Sequence, residues 1–199
     1  RGFLLGGTAG RTTLNGEGLQ HEDGHSHLIS STIPNCRSYD PTFAFEVAVI
    51  VQDGLRRMYS DQENVFYYIT VMNENYAHPA MPEGAAPAIL KGMYKLADGD
   101  KGKGKSPRVQ LMGSGVILRE AIAAAELLKK DWGVDADVWS CPSFTQLARD
   151  GNAVTRWNML HPTGKKKKPY VVQQLESDPW PVIATSDYLK IVPEQVARW

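Results

Sequence analysis

From residue 109 onward, short apolar runs alternate with segments of helical period, and that alternation admits few folds. Val109–Gly113, Ala136–Ser140, Pro169–Gln173 and Pro181–Thr185 read as strands. Ile117–Lys130 carries Ile117, Leu118, Ala121, Ile122, Ala125 and Leu128 on one face and reads as a helix. Residues 145–159 read as a second helix, and a third starts near Asp187. The order β-α-β-α-β-β-α with short connections predicts a mostly parallel sheet covered by helices on both faces. Gly113-Ser114-Gly115 follows the first of these strands. It lacks the third glycine of a dinucleotide-binding turn and reads as a tight strand-to-helix connection.

The first half has the same ingredients. Asp40-Pro41 offers an N-cap and a proline at the first helical position, so an amphipathic helix is predicted over 41–60. Val65–Met72 is a continuous β-branched and aromatic run, the pattern of a strand buried on both faces. A polar, proline-rich loop covers 73–84, and a second helix is predicted over 86–96. Residues 98–107 are rich in glycine and lysine and read as a linker between two domains. Their lysines lack interleaved aromatics, so they read as solvated rather than as a nucleic-acid patch. Lys165–Lys168 reads as an exposed turn.

Lysines plus arginines equal acids at 22 each, and a zero net charge points to neither nucleic acid nor an anionic membrane as partner. No apolar run is long enough for a membrane span, and no signal peptide is recognisable. Cys36 and Cys141 form no CxxC motif and read as reduced, structural thiols of a cytoplasmic protein. The chain starts at Arg1 and stops at Trp199 just after a helical pattern, which suggests a piece of a longer polypeptide.

The chemistry is concentrated in residues 14–27. His21, His25 and His27 stand beside Glu17, Glu22 and Asp23, with glycines at 16, 18 and 24. Imidazoles titrate near neutrality and serve as donor, acceptor or metal ligand. Three readings fit: a solvated turn, a metal site built on the three histidines, or a polar catalytic loop that holds an imidazole against a substrate oxygen. Gly24 between His21 and His25 weakens the helical metal-motif reading.

Longer motifs sharpen this. Arg11-Thr12-Thr13-Leu14-Asn15-Gly16-Glu17-Gly18-Leu19-Gln20-His21-Glu22-Asp23-Gly24-His25-Ser26-His27 resembles the decarboxylating component of pyruvate dehydrogenase of the homodimeric bacterial type. The resemblance continues through Pro34-Asn35, Ser38-Tyr39-Asp40-Pro41, Gln62-Glu63-Asn64-Val65, Asn73-Glu74-Asn75-Tyr76 and Met81-Pro82-Glu83-Gly84. It extends over Leu147–Gly151, Arg156–Pro162 and Ser186-Asp187-Tyr188.

The resemblance implies an α/β fold of the transketolase-like superfamily. Residues 1–97 would be the later part of its pyrimidine-binding domain, 98–107 a linker, and 108–199 most of the C-terminal α/β domain. It implies decarboxylation of pyruvate on thiamine diphosphate with Mg2+, and reductive acetylation of the lipoyl group of a partner dihydrolipoyl acyltransferase. It also implies a cytoplasmic homodimer within a multienzyme complex, with the diphosphate and magnesium sites outside this chain. The segment alone would then be inactive.

His21 matches the family's catalytic histidine, with Glu17 orienting it. His27 takes that place if the Glu-Asp-Gly blocks are aligned instead. His25 and Asp23 are expected to order the loop. Two rival readings are a non-catalytic α/β scaffold with a His-rich metal-binding loop, and a transketolase acting on sugar phosphates. The second needs a phosphate-binding basic cluster, and this loop offers only Arg11 among acids.

Overall fold

The computed structural model describes residues 1–7, 18, 21–72, 74–99 and 106–199. Two sheets form the frame. In the first, β1 (Phe3–Gly6), β2 (Cys36–Tyr39) and β3 (Phe66–Thr70) run parallel in the order β1-β3-β2. Tyr67 and Ile69 on the central strand β3 are fully buried, as its apolar run predicts. Helix α1 (Ser26–Ser31) precedes β2. Helix α2 (Ala44–Leu55) follows β2 and continues as one π-turn over Arg56–Ser60, and α3 (Ala86–Lys91) follows β3.

The second sheet holds β4 (Tyr94–Ala97), β5 (Arg108–Gly113), β6 (Asp135–Ser140) and β7 (Val182–Ala184) in the order β4-β6-β5-β7. β5 runs parallel to both neighbours, and β4 is an antiparallel edge strand on β6. Helices α4 (Ile117–Trp132), α5 (Phe144–Leu160), α6 (Tyr170–Leu175) and α7 (Ile191–Glu194) complete the chain. At the other edge β7 is exposed along its whole length, with Val182 at 45% and Ile183 at 49%. Among the described residues, no helix is long and apolar enough to cross a membrane.

Four sequence expectations change. The helix predicted over 41–60 begins only at Ala44, and Asp40 is not its cap. Instead the Glu46 carboxylate reaches back to the N–H groups of Thr42 and Phe43, at 2.5 and 3.0 Å. The helix predicted over 86–96 stops at Lys91, because Gly92 takes φ +105°. A Cβ there would lie 2.4 Å from the Ser143 carbonyl, so only glycine permits the turn into β4. The strand predicted over 169–173 is helix α6: Pro169 precedes its first turn, and Asp150 Oδ2 accepts the Tyr170 N–H at 2.5 Å. The helix expected near Asp187 is only the single turn α7. The Gly/Lys stretch falls mostly on residues 100–105, outside the described residues.

Buried polar ties join the two halves. Glu46 is fully buried on α2 and accepts from Tyr94 Oη at 2.7 Å and Ser140 Oγ at 2.6 Å. Thr42 Oγ1 donates to the Gly115 carbonyl at 2.7 Å, and Ser143 Oγ to the Ser38 carbonyl at 2.6 Å. Arg149 on α5 donates to the carbonyls of Cys36 and Ile33. Each such group is desolvated and therefore has to be matched, which fixes how the two sheets meet.

Candidate active site

In parallel sheets, ligands gather beyond the carboxyl ends of the strands, and this chain brings three such ends together. Asp40 follows β2 directly, Thr70 closes β3, and Ser114 follows β5. Asp40 Oδ1 accepts from Thr70 Oγ1 at 2.6 Å, and Oδ2 accepts from Ser114 Oγ at 2.7 Å. Its backbone is equally committed: the N–H donates to the Pro142 carbonyl at 2.7 Å, and the carbonyl accepts from Gly115 N–H at 3.0 Å.

Burial pushes the Asp40 carboxyl up to about 6, and the hydrogen bonds from Thr70 and Ser114 limit the rise. Gly115 has φ +54°, and a Cβ there would lie 2.5 Å from Asp40 Oδ2. The Gly113-Ser114-Gly115 turn is therefore a tight connection that admits the carboxylate.

His27, on α1, sits against this cluster. It is 4% exposed, with Nε2 at 3.2 Å from Thr70 Oγ1. Tyr188 meets its ring edge-on at 4.6 Å, and Tyr68 lies at 5.4 Å. Burial pushes its pKa down to about 4, with Asp23 opposing, so the ring is neutral at pH 7. The cavity under His27, Asp40, Ser114 and Tyr188 holds only about 10 Å³.

Asp23 has a structural task. Its Oδ1 accepts the N–H groups of His25 and Ser26, both at 3.0 Å, and Ser26 Oγ donates to Oδ2. Burial alone would raise its pKa, but the bonds from Ser26 and His25 outweigh it and hold the carboxyl below its ordinary value. These bonds cap α1. The Gly24 carbonyl accepts from Leu189 N–H at 3.1 Å, which straps the loop to the segment carrying Tyr188.

His21 and His25 are exposed, and His21 N–H donates to the Gly18 carbonyl at 3.2 Å. Glu17 and Arg11 lie outside the described residues. The structure thus places His27 against the Asp40–Thr70–Ser114 network, with the charge of Asp23 acting on it, and leaves His21 and His25 at the surface. Among the described residues, no group of three or more His, Cys, Asp or Glu side chains is arranged to hold a metal ion.

Sequence reasoning misses Thr70, Ser114 and Tyr188, and assigns Asp40 to a helix cap. The available signal is positional: a polar residue immediately at or after the end of a predicted buried strand.

Comparison with known proteins accounts for both halves. Residues 1–79 match the family model of the pyruvate dehydrogenase E1 component middle domain. Residues 92–198 match the transketolase-like TK C-terminal domain. The pyruvate dehydrogenase E1 component of Cupriavidus necator is 63% identical over 98% of this chain. Those of Pseudomonas aeruginosa and Escherichia coli K12 are 62% and 61% identical over 100% of it. The chain spans only 22% of the length of these relatives.

Solved transketolases share the fold. A variant from Pichia stipitis aligns over 92% of this chain and 23% of its own, with TM-score 0.60 and 16% identity. The enzyme of Leishmania mexicana aligns over 88% of this chain and 22% of its own, with TM-score 0.59 and 14% identity. The chain belongs to the transketolase-like family, joining a pyruvate dehydrogenase E1 middle-domain segment to a transketolase-like C-terminal domain.

Proposed function

We propose that this chain is part of a pyruvate dehydrogenase E1 component that decarboxylates pyruvate on thiamine diphosphate and passes the acetyl group to the lipoyl group of a dihydrolipoyl acyltransferase. The observation that carries this reading is similarity along the entire chain, above 60% identity, to proteins of that name. The same proposal makes the whole protein a cytoplasmic homodimer in a multienzyme complex. It divides the chain into a pyrimidine-binding segment (1–97), a linker (98–107) and a C-terminal domain (108–199).

The residues fit one wall of such a site. The cavity of about 10 Å³ beneath His27 is far too small for a cofactor, so thiamine diphosphate and Mg2+ would be held mainly by other parts of the longer polypeptide, facing the exposed side of the loop. When bound, thiamine diphosphate supplies the carbon nucleophile and the electron sink for decarboxylation.

This chain then supplies a donor. His21 is exposed and lies just before the capped start of α1, which the Asp23 network holds in place. Its imidazole is proposed to donate to the substrate carbonyl oxygen as negative charge develops there, and to hold the proton that returns to it. Glu17 would orient that ring. His27, neutral and enclosed, would hold the loop rather than exchange protons. His25 would order the loop together with Asp23.

The test is steady-state turnover of pyruvate by the complete polypeptide with thiamine diphosphate and Mg2+. Exchanging His21→Ala is expected to lower kcat by about 10²–10³-fold with cofactor affinity retained. An unchanged kcat for His21→Ala together with a collapse for a correctly folded His27→Gln would reverse the two assignments.

A further inference from the structure

A basic site lies between the helices, away from the His27–Asp40 cluster and sharing no lining residue with it. A cavity of about 420 Å³ opens between β2, the end of α2, α3, α5 and α6, lined by Arg37, Arg57, Lys91, Gln146, Arg149 and Tyr170 among others. That volume lies within the range of small-molecule pockets.

Its charges are unevenly matched. Arg57 is neutralised by Glu63 at 2.6 Å and approached by Asp53. Asp150 also lines the cavity, and its Oδ2 accepts the Tyr170 N–H. Arg37, Lys91 and Arg149 form no close ion pair among the described residues, although the Glu63 carboxylate also acts on Arg37 at longer range. Arg149 bonds only to neutral acceptors: two backbone carbonyls and Gln146 Oε1. Lys91 Nζ lies over the Tyr170 ring, 4.9 Å from its centroid. Arg37 Nε is buried and has no hydrogen-bond partner.

A buried N–H without an acceptor is unfavourable, and two neighbouring guanidinium groups repel. Burial and the charge of Arg37 both push the Arg149 pKa down. An arrangement that is unfavourable when empty of counter-charge is one that an anion relieves. Arginine forks match phosphate oxygens in pairs, and a lysine at the rim adds a point charge.

We propose that Arg37, Lys91 and Arg149 form a binding site for a phosphate-bearing small molecule. The phosphate oxygens bond to the guanidinium groups of Arg37 and Arg149, Lys91 closes over them, and the organic part rests on Tyr170.

The experiment is titration calorimetry on the complete polypeptide, with inorganic phosphate and glycerol 3-phosphate as probes, for wild type, Arg37→Gln and Lys91→Gln. It needs neither pyruvate nor thiamine diphosphate, so its result is independent of the decarboxylation reading. Binding at any other phosphate site survives both substitutions, and only the difference counts. The expected result is an affinity that falls about tenfold or more in each variant and weakens with added KCl. Stronger binding of the ester than of phosphate identifies an organophosphate as the occupant, and equal binding identifies the inorganic ion. Isotherms that are the same in all three proteins overturn the proposal. Should Arg37→Gln fail to fold, Lys91→Gln at its exposed position decides alone.

Discussion

Asp40 and His27 both meet the Thr70 hydroxyl, and burial drives their pKa values past each other, to about 6 and about 4. Asp40 titrates near 6 in the folded protein, above its unfolded value, so its contribution to stability is present at low pH and is lost as pH rises toward 6. His27 titrates near 4, below its unfolded value, so its contribution is present at neutral pH and is lost as pH falls toward 4. The two slopes oppose each other across one window and largely cancel. Single substitutions are expected to expose them. Relative to wild type, Asp40→Asn should gain stability as pH goes from 4 to 6.5, and His27→Gln should gain it in the reverse direction. Burial changes the proton affinity of each group roughly a hundredfold, so each trend should reach about 3 kcal/mol at most. Denaturation midpoints measured against pH check both signs, and parallel curves for all three proteins would refute the coupling.

At the scale of elements, Glu46 and Gly92 do most to fix geometry. Glu46 ends four hydrogen bonds from three segments, so Glu46→Ala leaves donors from the start of α2, β4 and β6 unmatched. A loss of about 3–5 kcal/mol is expected in urea unfolding, with Glu46→Gln milder. Gly92→Ala forces a Cβ onto the Ser143 carbonyl at a left-handed φ, and should cost more than about 1 kcal/mol.

These two residues also show what is legible in the sequence. Strands β3, β5 and β6 and helices α4 and α5 follow from periodicity, because each buries one continuous apolar surface. The breaks do not follow. Helix α3 and strand β4 read as one helix because Gly92 resembles any other glycine until the Ser143 carbonyl is seen beside it. Tyr170–Gln173 has strand propensity, yet Asp150 supplies a helix cap from 20 residues away in sequence. Asp40 reads as a cap because its true partners, Thr70 and Ser114, are 30 and 74 residues distant. Local pattern reports local partners only. The His-rich loop is legible as a site by composition, but which of its imidazoles turns inward depends on Asp23 capping α1.

In the whole molecule, the two sheets are joined through buried polar atoms as well as through apolar packing. Phe43, from the start of α2, packs in one cluster with Leu111, Leu118 and Val138 of the second half. Asp40, Thr42, Glu46, Ser143 and Arg149 all bridge the halves. The halves should therefore open together, with amides of β3 and β5 exchanging at the same free energy in native-state hydrogen exchange. Earlier exchange of one sheet would show that the bridges are weaker than each core. Such stiffness suits the proposed role of the loop, which the second half ties down through Leu189 N–H and the Gly24 carbonyl.

The exposed strand β7 has a practical consequence. Among the described residues no strand pairs with its outer edge, which is flanked by Trp180, Val182 and Ile183, all more than a third exposed. That is a template for cross-strand self-association. A preparation of these 199 residues alone should therefore become turbid in a concentration-dependent way, and a lysine in place of Ile183 should keep it clear.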